Sequence, residues 1–60
     1  MIKVVIFDKA GQPVQTISGA TLPIPSKGDQ VILENGTQLT VSSVNFAYKS
    51  NLTLVALNCS

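Results

Sequence analysis

The chain is predicted to be all-β: a small five-stranded barrel with an N-terminal β-hairpin and no helix longer than a single turn. Three observations predict it. Short runs rich in β-branched and aromatic residues alternate with turn residues, and Gly11, Gly19, Gly28 and Gly36 punctuate them at near-regular intervals. Asn35-Gly36 sits between two apolar runs, the strongest short-range signal for a hairpin. Nowhere does a helical i, i+3, i+4 apolar stripe persist for as long as a stable helix requires.

The first strand is read over residues 2–8, "IKVVIFD", from its β-branched and aromatic content. "KAGQP" supplies a turn, because Gly11 tolerates positive φ and Pro13 lacks an N–H to pair. Residues 14–19, "VQTISG", pair back on the first strand. Pro23 and Pro25 then bias Leu22 and Ile24 to extended backbone, which forbids helix over "ATLPIPSKGD". Residues 30–34, "QVILE", form a third strand, and Asn35-Gly36 is expected to close a two-residue type I′ turn. The returning strand, residues 37–49, slips in phase: Leu39 and Val41 share one parity, whereas Val44, Phe46 and Tyr48 have the other. A straight strand would turn one of these sets to water. A β-bulge at Ser42-Ser43 absorbs one residue and restores the face. Residues 52–58, "LTLVALN", complete the five strands of one domain spanning residues 1–60.

A chain of 60 residues buries only about 60% of its unfolded surface, so its core is small. Domains of this size gain stability from disulfides, metals or oligomerisation. Cys59 is the single cysteine and there is no His, so neither an internal disulfide nor a nitrogen- and sulfur-ligated zinc site is expected. No cofactor is implied. Charged residues are 12% of the chain against 45% apolar, with a net charge of +1 and a mean hydropathy of +0.36. No apolar run is long enough to span a membrane. Asp8 interrupts the apolar start too early for a signal peptide, so a cytoplasmic location is expected, and one unpaired cysteine fits a reducing compartment. Asn35, Asn51 and Asn58 each begin an Asn-x-Ser/Thr triplet, read here as turn and strand-end chemistry.

Pro25, Gly28-Asp29, Val31, Asn35-Gly36, Leu39, Val41, Val44 and Leu52 to Leu54 together resemble the small SH3-like β-barrels, in particular the short barrels common in phage and prophage genomes. The resemblance covers residues 22–58. It implies an SH3-like barrel that binds peptides, nucleic acid or copies of itself, and it carries over no catalytic or binding residue. Peptide-binding SH3 domains line their groove with several aromatics including Trp; here there is no Trp and only Phe7, Phe46 and Tyr48, which argues against proline-rich ligands.

Catalysis is not expected. Asp8, Asp29 and Glu34 sit in separate turns rather than as a pair, and Cys59 has no His to activate it and lies near a chain end expected to fray. The surfaces are more informative. In the first strand Ile2, Val4 and Ile6 point one way and Val5 and Phe7 the other; in the last, Leu52, Leu54 and Ala56 oppose Val55 and Leu57. Both faces of both strands are thus apolar, whereas a sheet with one wet face alternates. The leading expectation is a non-catalytic protein-interaction module that forms a homo-oligomer, of a phage or mobile-element accessory or assembly type, with a host or phage protein as a further partner. Its candidate interface is Val5, Phe7, Val55 and Leu57. Two other functions are weighed. One is a single-stranded nucleic-acid-binding barrel using Phe46, Tyr48 and Lys49, which ranks lower because four dispersed Lys and no Arg give a weak electrostatic footprint. The other is a small-ligand-binding oligomer with an interface pocket.

Overall fold

The computed structural model describes residues 1–60. Five strands form: β1 (Ile2–Phe7), β2 (Pro13–Gly19), β3 (Gln30–Ile32), β4 (Gln38–Tyr48) and β5 (Thr53–Cys59). There is no helix, and the strands make one sheet in the order β2-β1-β5-β4-β3, curled into a half-barrel consistent with a small SH3-like barrel. The N-terminal hairpin is present: β1 and β2 run antiparallel, from Ile2 opposite Gly19 to Ile6 opposite Gln15. Asp8 builds its turn, its Oδ1 accepting from the N–H groups of Ala10 and Gln12, while Gly11 takes φ 81°. Pro13 sits opposite Phe7 across a register shift that leaves Val14 as the extra residue.

The predicted bulge in the long strand is observed. Val41 pairs with Cys59 and Ser43 with Asn58, so Ser42 is the residue without an opposite number. The bulge puts Val44, Phe46 and Tyr48 on the side that Val41 and Leu39 face, opposite Leu57, Val55 and Thr53 respectively. The Asn35-Gly36 hairpin forms with a different turn. No non-glycine residue has positive φ, which excludes type I′. Gly36 N–H instead donates to the Leu33 carbonyl, Leu33 N–H to the Thr37 carbonyl, and Gly36 alone takes the left-handed region at φ 87°. Asn35 contributes through its side chain, Oδ1 accepting from the Thr37 N–H at 2.9 Å. The longer loop shortens β3 to three residues.

At the centre of the sheet β1 pairs with β5 in parallel, Val4 opposite Val55 and Ile6 opposite Leu57. The core is Val4, Ile6, Leu33, Val41, Val55, Leu57 and Cys59, with Ile2, Leu22, Ile24, Val31, Leu39 and Val44 packed around it. This corrects the parity expected for the last strand. Val55 and Leu57 are 0% and 1% exposed and belong to the core, because parallel register places them beside Val4 and Ile6. Cys59 continues the same face and is buried, so the chain end is not frayed: Ser60 and Thr40 exchange both backbone hydrogen bonds, at 2.9 and 3.0 Å.

Truncating Leu57 removes one of the largest wholly buried side chains. Leu57→Ala is expected to cost about 2–5 kcal/mol, against the roughly 3–5 kcal/mol that a core of this size supplies. Urea titration followed by far-ultraviolet circular dichroism should show a variant largely unfolded without denaturant.

Candidate interaction surfaces

Three regions remain once the core is assigned. The first is the convex face. Val5 pairs with Thr16 on one side and Ala56 on the other, Phe7 lies opposite Asn58, and Lys3 opposite Leu54. Val5 and Phe7 do point away from the core, as expected, but both are half-buried, as are Leu54 and Ala56. The outward residues of β5 are therefore Leu54 and Ala56, in place of Val55 and Leu57. Small and polar neighbours (Ala47, Asn45, Thr16) interrupt the apolar strip.

The second region is the gap between β2 and β3, the two edges that the half-barrel leaves unjoined. Gln15 spans one end, its Oε1 accepting from the Glu34 N–H at 3.1 Å. Along the rest runs a groove of about 270 Å³ whose floor is Val4, Ile6 and Leu57. Leu22 and Val31 form its walls, and Ile17 and Ile32 its lips. No charged residue lines it, and Ile32 is 72% exposed. Pro23 and Pro25 hold the segment beside it extended, which keeps Leu22 and Ile24 against the core.

The third region is the far half of β4. Phe46 and Tyr48 are two residues apart on one face, so their rings lie side by side, centroids 6.1 Å apart and planes within 9°. They stack in the offset manner that aromatic pairs favour. Tyr48 is 77% exposed and Phe46 50%. Lys49 follows and is exposed at the β4–β5 turn, where Lys49 and Leu52 are joined by backbone hydrogen bonds. Beside Phe46 opens a shallow hollow of about 530 Å³ with Lys27 and three hydroxyls, Ser26, Ser42 and Ser43, on its walls. The bulge supplies two of those serines. The turn that carries Lys27 is fixed to β4 at the same place, Gly28 N–H donating to the Val41 carbonyl and Val41 N–H to the Asp29 carbonyl, both at 2.8 Å.

The structure stacks Phe46 on Tyr48, and Lys49 follows them, exposed, at the β4–β5 turn. The structure separates Val5 and Phe7 from Val55 and Leu57, which lie on opposite faces. Ile17, Ile32 and Lys27 escaped the sequence reading. Ile17 is the one large apolar residue between Gln15 and Gly19, set among polar neighbours, and that isolation was the available signal.

Asp8 and Asp29 accept backbone N–H bonds within their turns, at 2.8–3.0 Å. No helix is long and apolar enough to cross a membrane. No family model, curated protein or solved structure matches the chain.

Burial pushes the Cys59 thiol above its ordinary value near 9.0, because desolvation disfavours the thiolate. A raised pKa in the folded state means that the folded chain holds its proton more tightly than the unfolded one. The associated stability is complete below the ordinary thiol pKa and is lost as pH rises through the raised value. Urea midpoints should therefore fall on going from neutral to alkaline pH, by more in the native chain than in Cys59→Ala.

Proposed function

We propose that the chain is a small non-catalytic interaction module that works as a homo-oligomer. The observation that carries this reading is the unclosed half-barrel. Its gap exposes an uncharged apolar groove that reaches the core residues Val4, Ile6 and Leu57, with Ile17 and Ile32 in solvent at its lips. A core of seven buried residues has little reserve with which to leave such surface wet. Apolar groups of this size gain roughly 1.5–3 kcal/mol each when fully removed from water. Resemblance to the barrels of phage and prophage genomes supports a cytoplasmic accessory or assembly role in a mobile element, where a host or phage protein is a natural second partner.

Light scattering behind a sizing column should report a mass at least twice the 6.3 kDa of one chain at micromolar concentration. A mass of one chain across the whole concentration range would end this reading.

The Phe46–Tyr48 stack favours a second reading, the binding of single-stranded nucleic acid. Exposed aromatic faces hold bases with little sequence preference, and Lys27 and Lys49 flank the pair. Each contact to a phosphate releases counterions, so two or three lysines make a weak and salt-sensitive site. Fluorescence anisotropy with a labelled oligonucleotide should show binding that modest salt abolishes. Tight, salt-resistant binding removed by Tyr48→Ala would place this reading first.

A further inference from the structure

We propose that two copies join edge to edge through β2, antiparallel across a two-fold axis at Ile17, to make one continuous ten-stranded sheet. The inference rests on the homo-oligomer reading and assigns its contact.

A sheet edge is a row of unpaired N–H and C=O groups, and proteins blunt such edges with short strands, charges, prolines or bulges. The β3 edge is blunted by its length of three residues. At the start of β2, Pro13 and the bulge at Val14 do the same. Beyond them, Gln15 to Gly19 has no such device. The segment contains no charge and no proline, and its register with β1 is unbroken from Gln15 opposite Ile6 to Gly19 opposite Ile2. None of the backbone hydrogen bonds formed outside the strand ladders involves these residues, so the outer edge of β2 is unpaired. The one side-chain bond here, from Glu34 N–H to Gln15 Oε1, leaves the β2 backbone free.

The occupant that fits this edge is the edge itself. A two-fold axis at Ile17 sets Gln15 opposite the partner's Gly19, Thr16 opposite the partner's Ser18, and Ile17 opposite its own copy. No like charges meet, and Thr–Ser is a pair that hydrogen-bonds across antiparallel strands. A strand bearing charges would set them unpaired beside an uncharged apolar groove, whereas Gln15 to Gly19 brings none, and a chain of net charge +1 meets its own copy with little repulsion. The side-chain pattern agrees. Ile17 lies on the core side, opposite Val4, and is 39% exposed at the lip of the groove. Directly opposed residues in antiparallel strands have Cα atoms about 4.5–5.5 Å apart. The partner's Ile17 therefore arrives at the groove mouth and covers the surface that a closed barrel would cover with its own chain.

The test is mass in solution on the full chain with three variants. The native chain should run at twice 6.3 kDa. Ile17→Lys should halve that mass while keeping the all-β circular dichroism spectrum, whereas Val5→Lys, on the opposite face, should leave the mass unchanged. Ile17→Cys should form a disulfide-linked dimer under mild oxidation, since the two-fold places the two residues within disulfide reach; this variant decides the matter if Ile17→Lys fails to fold. A native oligomer that persists in Ile17→Lys, or splits only in Val5→Lys, or gives no cross-link in Ile17→Cys, would overturn the β2 contact and leave the homo-oligomer reading standing. A native chain of single mass at every concentration would overturn both.

Discussion

The parallel ladder between β1 and β5 is the interaction on which the rest of this structure depends. These two strands come from the two ends of the chain and occupy the middle of the sheet, flanked by β2 on one side and β4 on the other. Four of the seven core residues, Val4, Ile6, Val55 and Leu57, are brought together by that single register. The N-terminal part is a two-stranded hairpin, β1–β2, and the C-terminal part a three-stranded antiparallel meander, β3–β4–β5. Neither has a second layer of its own, and an isolated two-stranded hairpin is marginal in water. Joining the halves closes a loop nearly as long as the chain, whose entropic cost must be met before the core forms. Folding is for that reason a property of the whole sequence.

The segment between β2 and β3 does the work of a missing strand. It has no ladder bonds, yet Leu22 and Ile24 pack on the core between extended prolines. Its end is fastened by the Ser26–Asp29 turn, in which Asp29 accepts the Ser26 N–H at 2.8 Å and the backbone of Gly28 and Asp29 grips Val41. The grip falls on the residue just before the bulge, where β4 bends. One half of β4 thereby serves the hairpin with β3, and the other reaches along β5 to carry Phe46 and Tyr48 past the edge of the core.

Local features of the fold were legible in the sequence wherever a single strand or turn decides them. The change of parity between Val41 and Val44 can be absorbed only by an extra residue, and Ser42 is that residue. The Asn-Gly signal located its hairpin but misassigned the turn, since Gly36 alone supplies the positive φ and Asn35 acts through its side-chain oxygen. Features that depend on distant pairing were not legible. Both parities of β5 are apolar, so its sequence does not say which side meets the core. Its register with β1 decides, and the one local hint is that Asn58 ends the outward parity while Cys59 ends the inward one. The candidate surfaces divide in the same way. Phe46 and Tyr48 are neighbours by strand periodicity alone, whereas the groove lips Ile17 and Ile32 belong to opposite edges of the sheet and meet only because the sheet curls.

The central ladder also fixes how the molecule would bear tension. Because β1 and β5 are parallel neighbours, residue 1 lies at one end of the pair, where Met1 accepts the Thr53 N–H, and residue 60 at the other. Pulling the termini apart slides one strand along the other. The whole run of slanted inter-strand bonds is then strained together, where a hairpin pulled from its open end would lose them one at a time. A chain of this size with a modest equilibrium stability is thus built to resist load along its end-to-end axis, and to yield far more readily when force is applied across the sheet at its β2 or β3 edge.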